Sequence, residues 1–330
     1  MQKCFNVPIK ERLTRSAAQC YSAPIPKACT LPSLAVRILQ KFSPPLQWPT
    51  PSTKKPLPQK VRGGSVVMKL ASAKRLHLLD INSLYPFCFL NSLPKGKPRP
   101  SFYTNNPGRM TFVEATIFPP NYVKPSIVPF TNILFSPSPG IYLSKEVSYL
   151  EAQGSVIVPK RYWTYHYSQD FFQDFVLHLY SVKPSFPKII KYLLNFCFGK
   201  LISKTHHPPS TIYASAITSY ARIHMGRQIS SMPTPLLYSD TDSIVTQHPH
   251  FSPHPHKLGR LKSLLHFEPS YASSANFTAR RVYNYTHNIT TTSKGANLVK
   301  GRSTLTPKRP LSYERRVLVN FMYVTTIWIK

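Results

Sequence analysis

Two aspartates one residue apart, Asp240 and Asp242 in LLYSDTDSIV, stand in a chain that is otherwise poor in acid. Eleven Asp and Glu face 42 Lys and Arg across 330 residues, for a formal net charge of +31. Where carboxylates are so scarce, a close pair inside an apolar run is informative. Leu236, Leu237, Ile244 and Val245 would bury much of the segment. A strand would turn both carboxylates to one face, and a hairpin turn would also bring them near one point. Like charges so gathered need protons, Lys or Arg, or metal ions to neutralise them. A turn carrying solvated aspartates is the plain alternative.

Asp80 is the second place where an acid interrupts a run that reads as buried, in LLDINSLYP. Carboxylates from two strands that clamp a pair of divalent cations are a recurring design for nucleotidyl transfer. Mg²⁺ suits it, because this ion takes one or two carboxylates plus substrate phosphates rather than an all-protein cage. A strongly basic chain adds the means to hold a polyanion. Nucleic acid is the first choice and an acidic membrane surface the second.

The wider composition excludes several classes. No stretch approaches the length of a transmembrane span, so no membrane partner is expected. Cys4, Cys20, Cys29, Cys88 and Cys197 are odd in number and lack CxxC spacing, which argues against a disulfide framework or a thiolate zinc site. His248, His250, His254 and His256 lie among prolines with no acid or cysteine beside them, so zinc is not assigned there. Glu11 is the sole acid before Asp80, so the N-terminal region is nearly bare of carboxylates. Its basic, acid-poor composition resembles a transit peptide.

Several elements must position these groups. The apolar run from Leu76 reads as a strand ending at Asp80, and Leu236 to Thr246 as a hairpin. Tyr142 to Gly154 reads as a helix with Ser144 as N-cap and Gly154 at the C-terminal end. Lys188 to Ile202 and Ser210 to Met225 read as amphipathic helices, and Ser33 to Phe42 as a short one. Thr111 to Phe118 reads as a strand. Residues 42–60 are Pro-rich and read as a linker or loop, and Val317 to Ile329 as a buried strand or helix. Strands and helices without a repeating βαβ pattern predict an α+β fold.

The motifs carry a family resemblance. Asp80-Ile81-Asn82-Ser83-Leu84-Tyr85-Pro86 resembles the first palm motif of family B DNA polymerases, DxxSLYP. Tyr238-Ser239-Asp240-Thr241-Asp242-Ser243 resembles the third, YxDTDS. Between them, residues 191–199 (KYLLNFCFG) resemble the fingers motif KxxxNSxYG. Arg62-Gly63-Gly64 is similar to the YxGG element of the protein-primed branch of linear plasmids and viruses. Residues 216–222 are similar to its helix before the third motif, and Arg281-Val282-Tyr283 to its KxY element.

The resemblance implies a polymerase palm, an antiparallel sheet with packed helices, plus partial fingers and a truncated thumb. It implies catalytic Asp80, Asp240 and Asp242, with Asp80 and Asp242 as ligands of two Mg²⁺ ions. Ser83, Leu84 and Tyr85 would meet the incoming dNTP, Tyr85 packing under the deoxyribose. Lys191, Asn195 and Lys183 would face its phosphates, with Lys188 in addition. Arg62, Gly63, Gly64, Arg281, Tyr283 and Lys294 would contact primer–template DNA. A terminal protein as primer is a further implied partner, and the mitochondrion the implied location.

The expected organisation is a basic extension at 1–31, a pre-palm remnant at 32–79 and a first palm part at 80–187. Fingers helices would occupy 188–225, the second palm part 226–300 and a thumb remnant or tail 301–330. Phe196 stands where the family has Ser and Phe198 where it has Tyr, and Phe196 adds bulk at a position expected to be small, where overpacking could displace the fingers helix. Val61 replaces the Tyr before Arg62, and Arg281 the Lys of KxY. Two alternatives follow: a catalytically degenerate polymerase remnant, and a basic nucleic-acid-binding protein without chemistry.

Overall fold

The computed structural model describes residues 61–68, 72–100, 109–120, 138–168, 172–185, 187–202, 210–232, 236–247, 254, 256–265 and 271–279. It also describes residues 282–287, 290–294, 296–299, 302–307, 316–319 and 322–329, with Ala35, Ile38 and Leu39. The Pro-rich segment 42–60, Arg281, His248 and His250 lie outside the described residues. So does most of the helix expected over Ser33 to Phe42, of which Ala35, Ile38 and Leu39 are helical and buried.

The chain divides into two compact units. The second, formed by Arg62–Leu84, Phe112–Tyr162 and Thr218–Lys330, holds the sheet that positions the aspartates. Strand β1 is Val61–Met68 and β2 is Ser72–Ile81; β3 (Leu93–Pro100), β4 (Arg109–Phe118), β5 (Ser138–Leu143) and β6 (Val156–Ser168) follow in the chain. Strands β7 (Tyr238–Asp240) and β8 (Ser243–Thr246) form the expected hairpin. β2 pairs antiparallel with β8, which pairs with β7, which pairs with β1. On the far side of β2 come β10 (Ala272–Ala279), β11 (Val282–His287) and β12 (Thr290–Lys294), while β9 (Leu261–Ser263) pairs with β2 off this path. The C-terminal run is two strands, Arg316–Val319 and Met322–Ile329, which extend the sheet beyond β1.

Alternation drives this sheet. Leu76 and Leu78 point with Val66, Tyr238 and Val245 into one apolar cluster that also takes Leu237, Leu265, Ala272 and Ala275. Side chains of this size contribute roughly 1.5–3 kcal/mol each on burial, so the strand register is strongly specified.

Also in this unit, a strand at Ser138–Leu143 leads without a break into helix Ser144–Ala152. Its N-cap position is Leu143, with no side-chain cap, because the strand runs directly into the first turn. Ser144 is therefore the first helical residue rather than the expected cap. Gly154 does end the helix, at φ +84°. Its N–H donates to Glu151 O at 2.8 Å and the Ser155 N–H to Leu150 O at 2.9 Å, the paired bonds of a Schellman motif.

The first unit comprises Met1–Val61, Tyr85–Thr111 and Trp163–Ile217. Its core is aromatic: Phe172 packs edge-on against Phe89 at 5.1 Å and against Tyr213 at 6.0 Å between ring centroids. Helices Gln173–Ser181 and Pro187–Ile202 pack on each other here. The next helix, Ser210–Ser230, was expected to be amphipathic but is buried on nearly every face from Ile212 to Met225. Alanines and apolar residues surround its axis, and its polar Thr218, Ser219 and Arg222 are buried too. Among the described residues no helix is long and apolar enough to cross a membrane.

Candidate active site

The register of β2 against β8 sets the site. Leu79 lies opposite Ile244 and Asp80 opposite Ser243. One step on, the Ile81 N–H donates to the Asp242 carbonyl at 2.8 Å. Asp80 and Asp242, 162 positions apart in the sequence (242 − 80), are thereby placed on directly adjacent backbones.

Asp240 ends β7 and pairs with Ser243, so Thr241 and Asp242 form the tip of a two-residue hairpin. The Asp242 N–H donates to Asp240 O at 2.6 Å around Thr241, which has φ +58°. An i→i+2 bond about a residue of positive φ is the rare and strained hand of γ-turn. Glycine suits such a position and a β-branched residue does not. Asp240 is 5% exposed, and Thr241 Oγ1 donates to its Oδ1 at 3.0 Å. The hairpin reading of the DTD segment is the one realised, with Asp240 interior and Asp242 half-buried at the tip.

Asp80 does not stand alone. β9 lies beside the end of β2 with Lys262 directly opposite Asp80, and Lys262 Nζ reaches Asp80 Oδ2 at 2.9 Å. Asn82, one residue beyond β2, ties down the loop that leads into β9. Its side chain donates to His254 O at 2.8 Å, its N–H to Arg260 O at 2.9 Å, and its carbonyl accepts the Gly259 N–H at 2.9 Å. His224 secures the same loop by donating to Gly259 O at 2.8 Å. Ser83 follows at φ +53°, turning the chain from β2 into the short helix Leu84–Cys88 that contains Tyr85.

The donor set fits a hard divalent cation. Asp80 and Asp242, on adjacent backbones, offer oxygen alone, and a lysine ammonium already sits at Asp80 as a stand-in for positive charge. Among the described residues no three His, Cys, Asp or Glu gather into a cage. An ion held here would complete its shell with substrate oxygens and water, as Mg²⁺ does.

The fingers candidates belong to the first unit. Lys191 and Asn195 are exposed four residues apart on the helix Pro187–Ile202, hence on one face, and Lys188 is exposed one turn earlier. Lys183 lies over the Tyr180 ring at 4.5 Å. The Tyr85 ring stacks on Phe198 at 4.1 Å and 14°. Phe198 is buried, with one face taken by Tyr85. Phe196 does not displace the helix. It is half-buried on the helix surface and stacks on Tyr192 one turn back, at 5.9 Å, so its bulk is accommodated outside the core.

Among the DNA-contact candidates, Tyr283 of β11 lies directly opposite Lys294 of β12 in the backbone register. Arg62 departs from expectation. It is 2% exposed and over the Tyr142 ring at 4.7 Å, so a surface role on the DNA backbone is not available to it. None of its guanidinium nitrogens has a hydrogen-bond partner among the described residues. Burial lowers its pKa, partly offset by the Tyr142 oxygen and Glu146. Gly63 and Gly64 are buried as well.

Sequence reasoning missed three residues. Lys262 carries no signal without the register of β9. Arg222 and Glu146 form an ion pair at 2.6 Å with both side chains almost wholly buried. Glu146 had one available signal, as one of only eleven acids and the one placed in the first turn of its helix.

Comparison with known proteins bears on the family and the fold. The model of the family "DNA polymerase type B, organellar and viral" matches residues 11–208. No curated protein matches the chain. Among solved structures, Phi29 DNA polymerase in a ternary complex with primer-template DNA and incoming nucleotides aligns with TM-score 0.63 at 16% identity, covering 92% of this chain and 67% of that one. The same polymerase in its post-translocation binary complex gives 0.62 at 15%, covering 92% and 59%, and its orthorhombic form 0.61 at 14%, covering 89% and 68%. The chain thus spans about 59–68% of the polymerase it matches in fold. The antiparallel sheet with packed helices is the Phi29 polymerase fold over most of this chain, and the chain belongs to the type B DNA polymerases, organellar and viral, a family of DNA-directed DNA polymerases.

Proposed function

We propose that the chain holds primer–template DNA and adds deoxynucleotides to the primer 3′-hydroxyl, with Asp80 and Asp242 as ligands of two Mg²⁺ ions. The observation that carries this reading is the hydrogen bond from Ile81 to Asp242, which sets the two carboxylate-bearing backbones side by side. When bound, the ions would make the 3′-hydroxyl oxygen a better nucleophile and stabilise charge on the phosphate oxygens. The chain's own residues do the rest. Asp240 and Thr241 fix the turn, and Asn82 and Ser83 shape the strand end that faces the triphosphate. By the family resemblance, Lys191 would supply a point charge for phosphate and Tyr85 would pack under the sugar. The high positive charge supports binding of the DNA backbone, with an affinity that falls as salt rises.

Primer extension with Mg²⁺ and dNTPs tests the reading. Template-dependent growth of the primer supports it. Tight primer–template binding with no extension under Mg²⁺ or Mn²⁺ refutes it in favour of a degenerate or purely binding protein.

Two further outcomes are expected. Tyr85→Val opens space beneath the sugar, so incorporation of ribonucleotides relative to deoxyribonucleotides rises by about tenfold or more in single-nucleotide competition. An unchanged ratio would remove Tyr85 from sugar selection. Lys262→Met strips the resident cation from Asp80. The Lys262–Asp80 pair is only partly buried and such pairs contribute about 0.2–1 kcal/mol. The Mg²⁺ concentration for half-maximal extension therefore falls by up to about fivefold, and a rise would mean that Lys262 assists rather than competes.

The proposed setting is protein-primed replication of a linear mitochondrial plasmid, with a terminal protein as primer. The organellar and viral character of the matched family supports it, as do the resemblances at residues 62–64 and 216–222. Imaging of the tagged full chain in intact cells checks the location, and a signal confined to the cytosol refutes it.

A further inference from the structure

Arg222 uses every donor it has. Nε and one terminal nitrogen fork onto the two Glu146 oxygens at 2.6 and 2.7 Å, and the latter nitrogen also donates to Ser219 Oγ at 2.9 Å. The other terminal nitrogen donates to the carbonyls of Arg62 and Gly63 at 2.6 and 2.9 Å. A guanidinium has five N–H donors, and here five bonds are made. Burying such a pair carries a large desolvation cost for each ion, and apolar replacements are often as stable. What the pair contributes is geometry.

The segment it grips leads to the catalytic turn. β1 pairs with β7 at Val66 opposite Asp240, so two residues earlier in β1 the strand runs beside the hairpin tip. A Cβ on Gly64 would lie 2.8 Å from Thr241 Cγ2, 2.9 Å from its Oγ1 and 3.0 Å from its Cα. The ribbon therefore presses bare backbone against Thr241 with no slack for a side chain. Thr241 itself sits at positive φ, a strained conformation that persists only where the surroundings over-determine it. Its branched side chain is stiff and is tied to the Asp240 carboxylate.

We infer that Arg222 and Glu146 are positioning residues: they clamp the Arg62–Gly64 ribbon against Thr241 and so hold the Asp240–Asp242 turn in its metal-binding geometry. This rests on the polymerase reading only for the use made of the carboxylates.

Mn²⁺ binding to the full chain, read by electron paramagnetic resonance, tests the clamp alongside single-turnover primer extension. Gly64→Ala keeps the clamp but displaces the turn. Arg222→Lys keeps the charge but falls from five donors to three. Both variants should bind Mn²⁺ about tenfold more weakly and lose about tenfold to a hundredfold in kcat, with KM for dNTP within about twofold. The double variant should lose little more than Gly64→Ala alone, because both changes act through one contact. Unchanged Mn²⁺ affinity in the single variants, or fully additive losses in the double, overturns the positioning role. If Arg222→Lys fails to fold, the Mn²⁺ titration of Gly64→Ala decides. A wild type that binds Mn²⁺ but extends nothing sinks the polymerase reading, and the comparison of Mn²⁺ affinities still decides the clamp. A wild type that binds no Mn²⁺ overturns both.

Discussion

Asp80→Ala and Asp242→Ala each lower primer extension by about a thousandfold or more, while primer–template affinity stays within about threefold of wild type. The first half follows from what the site lacks. Among the described residues no further His, Cys, Asp or Glu gathers with these aspartates, so no neighbour can replace a lost ligand. Each tenfold in rate is about 1.36 kcal/mol, so a thousandfold asks for ~4 kcal/mol, within reach of metal stabilisation of transition-state charge. The second half follows from charge. Removing one acid from a chain of net charge +31 cannot weaken a phosphate-backbone interaction. Single-turnover extension and fluorescence anisotropy on the same preparations separate the two. Retained extension in Asp80→Ala would remove Asp80 from the chemistry. Asp240→Asn should be milder than either, because Asp240 is interior and the replacement keeps an oxygen for the Thr241 hydroxyl.

Glu146→Ala has the largest expected effect on stability, a loss of about 3–5 kcal/mol, because it strands a buried guanidinium without its acid. The local balance makes the case stronger than a simple pair. Arg62 is buried close enough to feel the charges of both Glu146 and Arg222, so two cations share a single carboxylate. Urea unfolding measures the loss, and a change below about 1 kcal/mol would mean the pair is not structurally important. Replacing both partners at once, Glu146→Leu with Arg222→Leu, separates stability from positioning. The apolar pair should recover only part of the stability, because buried Arg62 still lacks its acid, whereas extension should stay low because the Arg62 and Gly63 carbonyls have lost their donor.

The strands that carry Asp80, Asp240 and Asp242 were legible because they obey short-range rules. Leu76 to Asp80 is an apolar run ending in an acid, and the DTD segment is an acidic interruption between two apolar stretches; both became what their pattern implies. Gly154 was legible because a left-handed residue at a helix end is a local need. Ser144 was not, because capping depends on what precedes the helix, and here a strand does. The misplacement of Arg62 has a longer-range cause. A basic residue beside two glycines suits a phosphate contact equally well, and only the Tyr142 ring, eighty positions away, shows that it points inward. Arg222 and Glu146 are 76 positions apart and meet only in three dimensions. Phe196 looked like an overpacked core residue because the fingers motif gives its position without its facing.

The tip of a hairpin is ordinarily where a sheet frays first and its amides trade protons with solvent fastest. The Asp240–Asp242 tip is built the other way. Its Asp242 amide is engaged within the turn, its carbonyl receives the Ile81 amide from the neighbouring strand, and Gly64 presses on it from the other side. Opening the tip therefore means parting β1, β2 and β8 together, which ties its exchange with solvent to the slowest, near-global opening of the sheet. The acids that would do the chemistry thus sit on a turn that opens only with the strands around it.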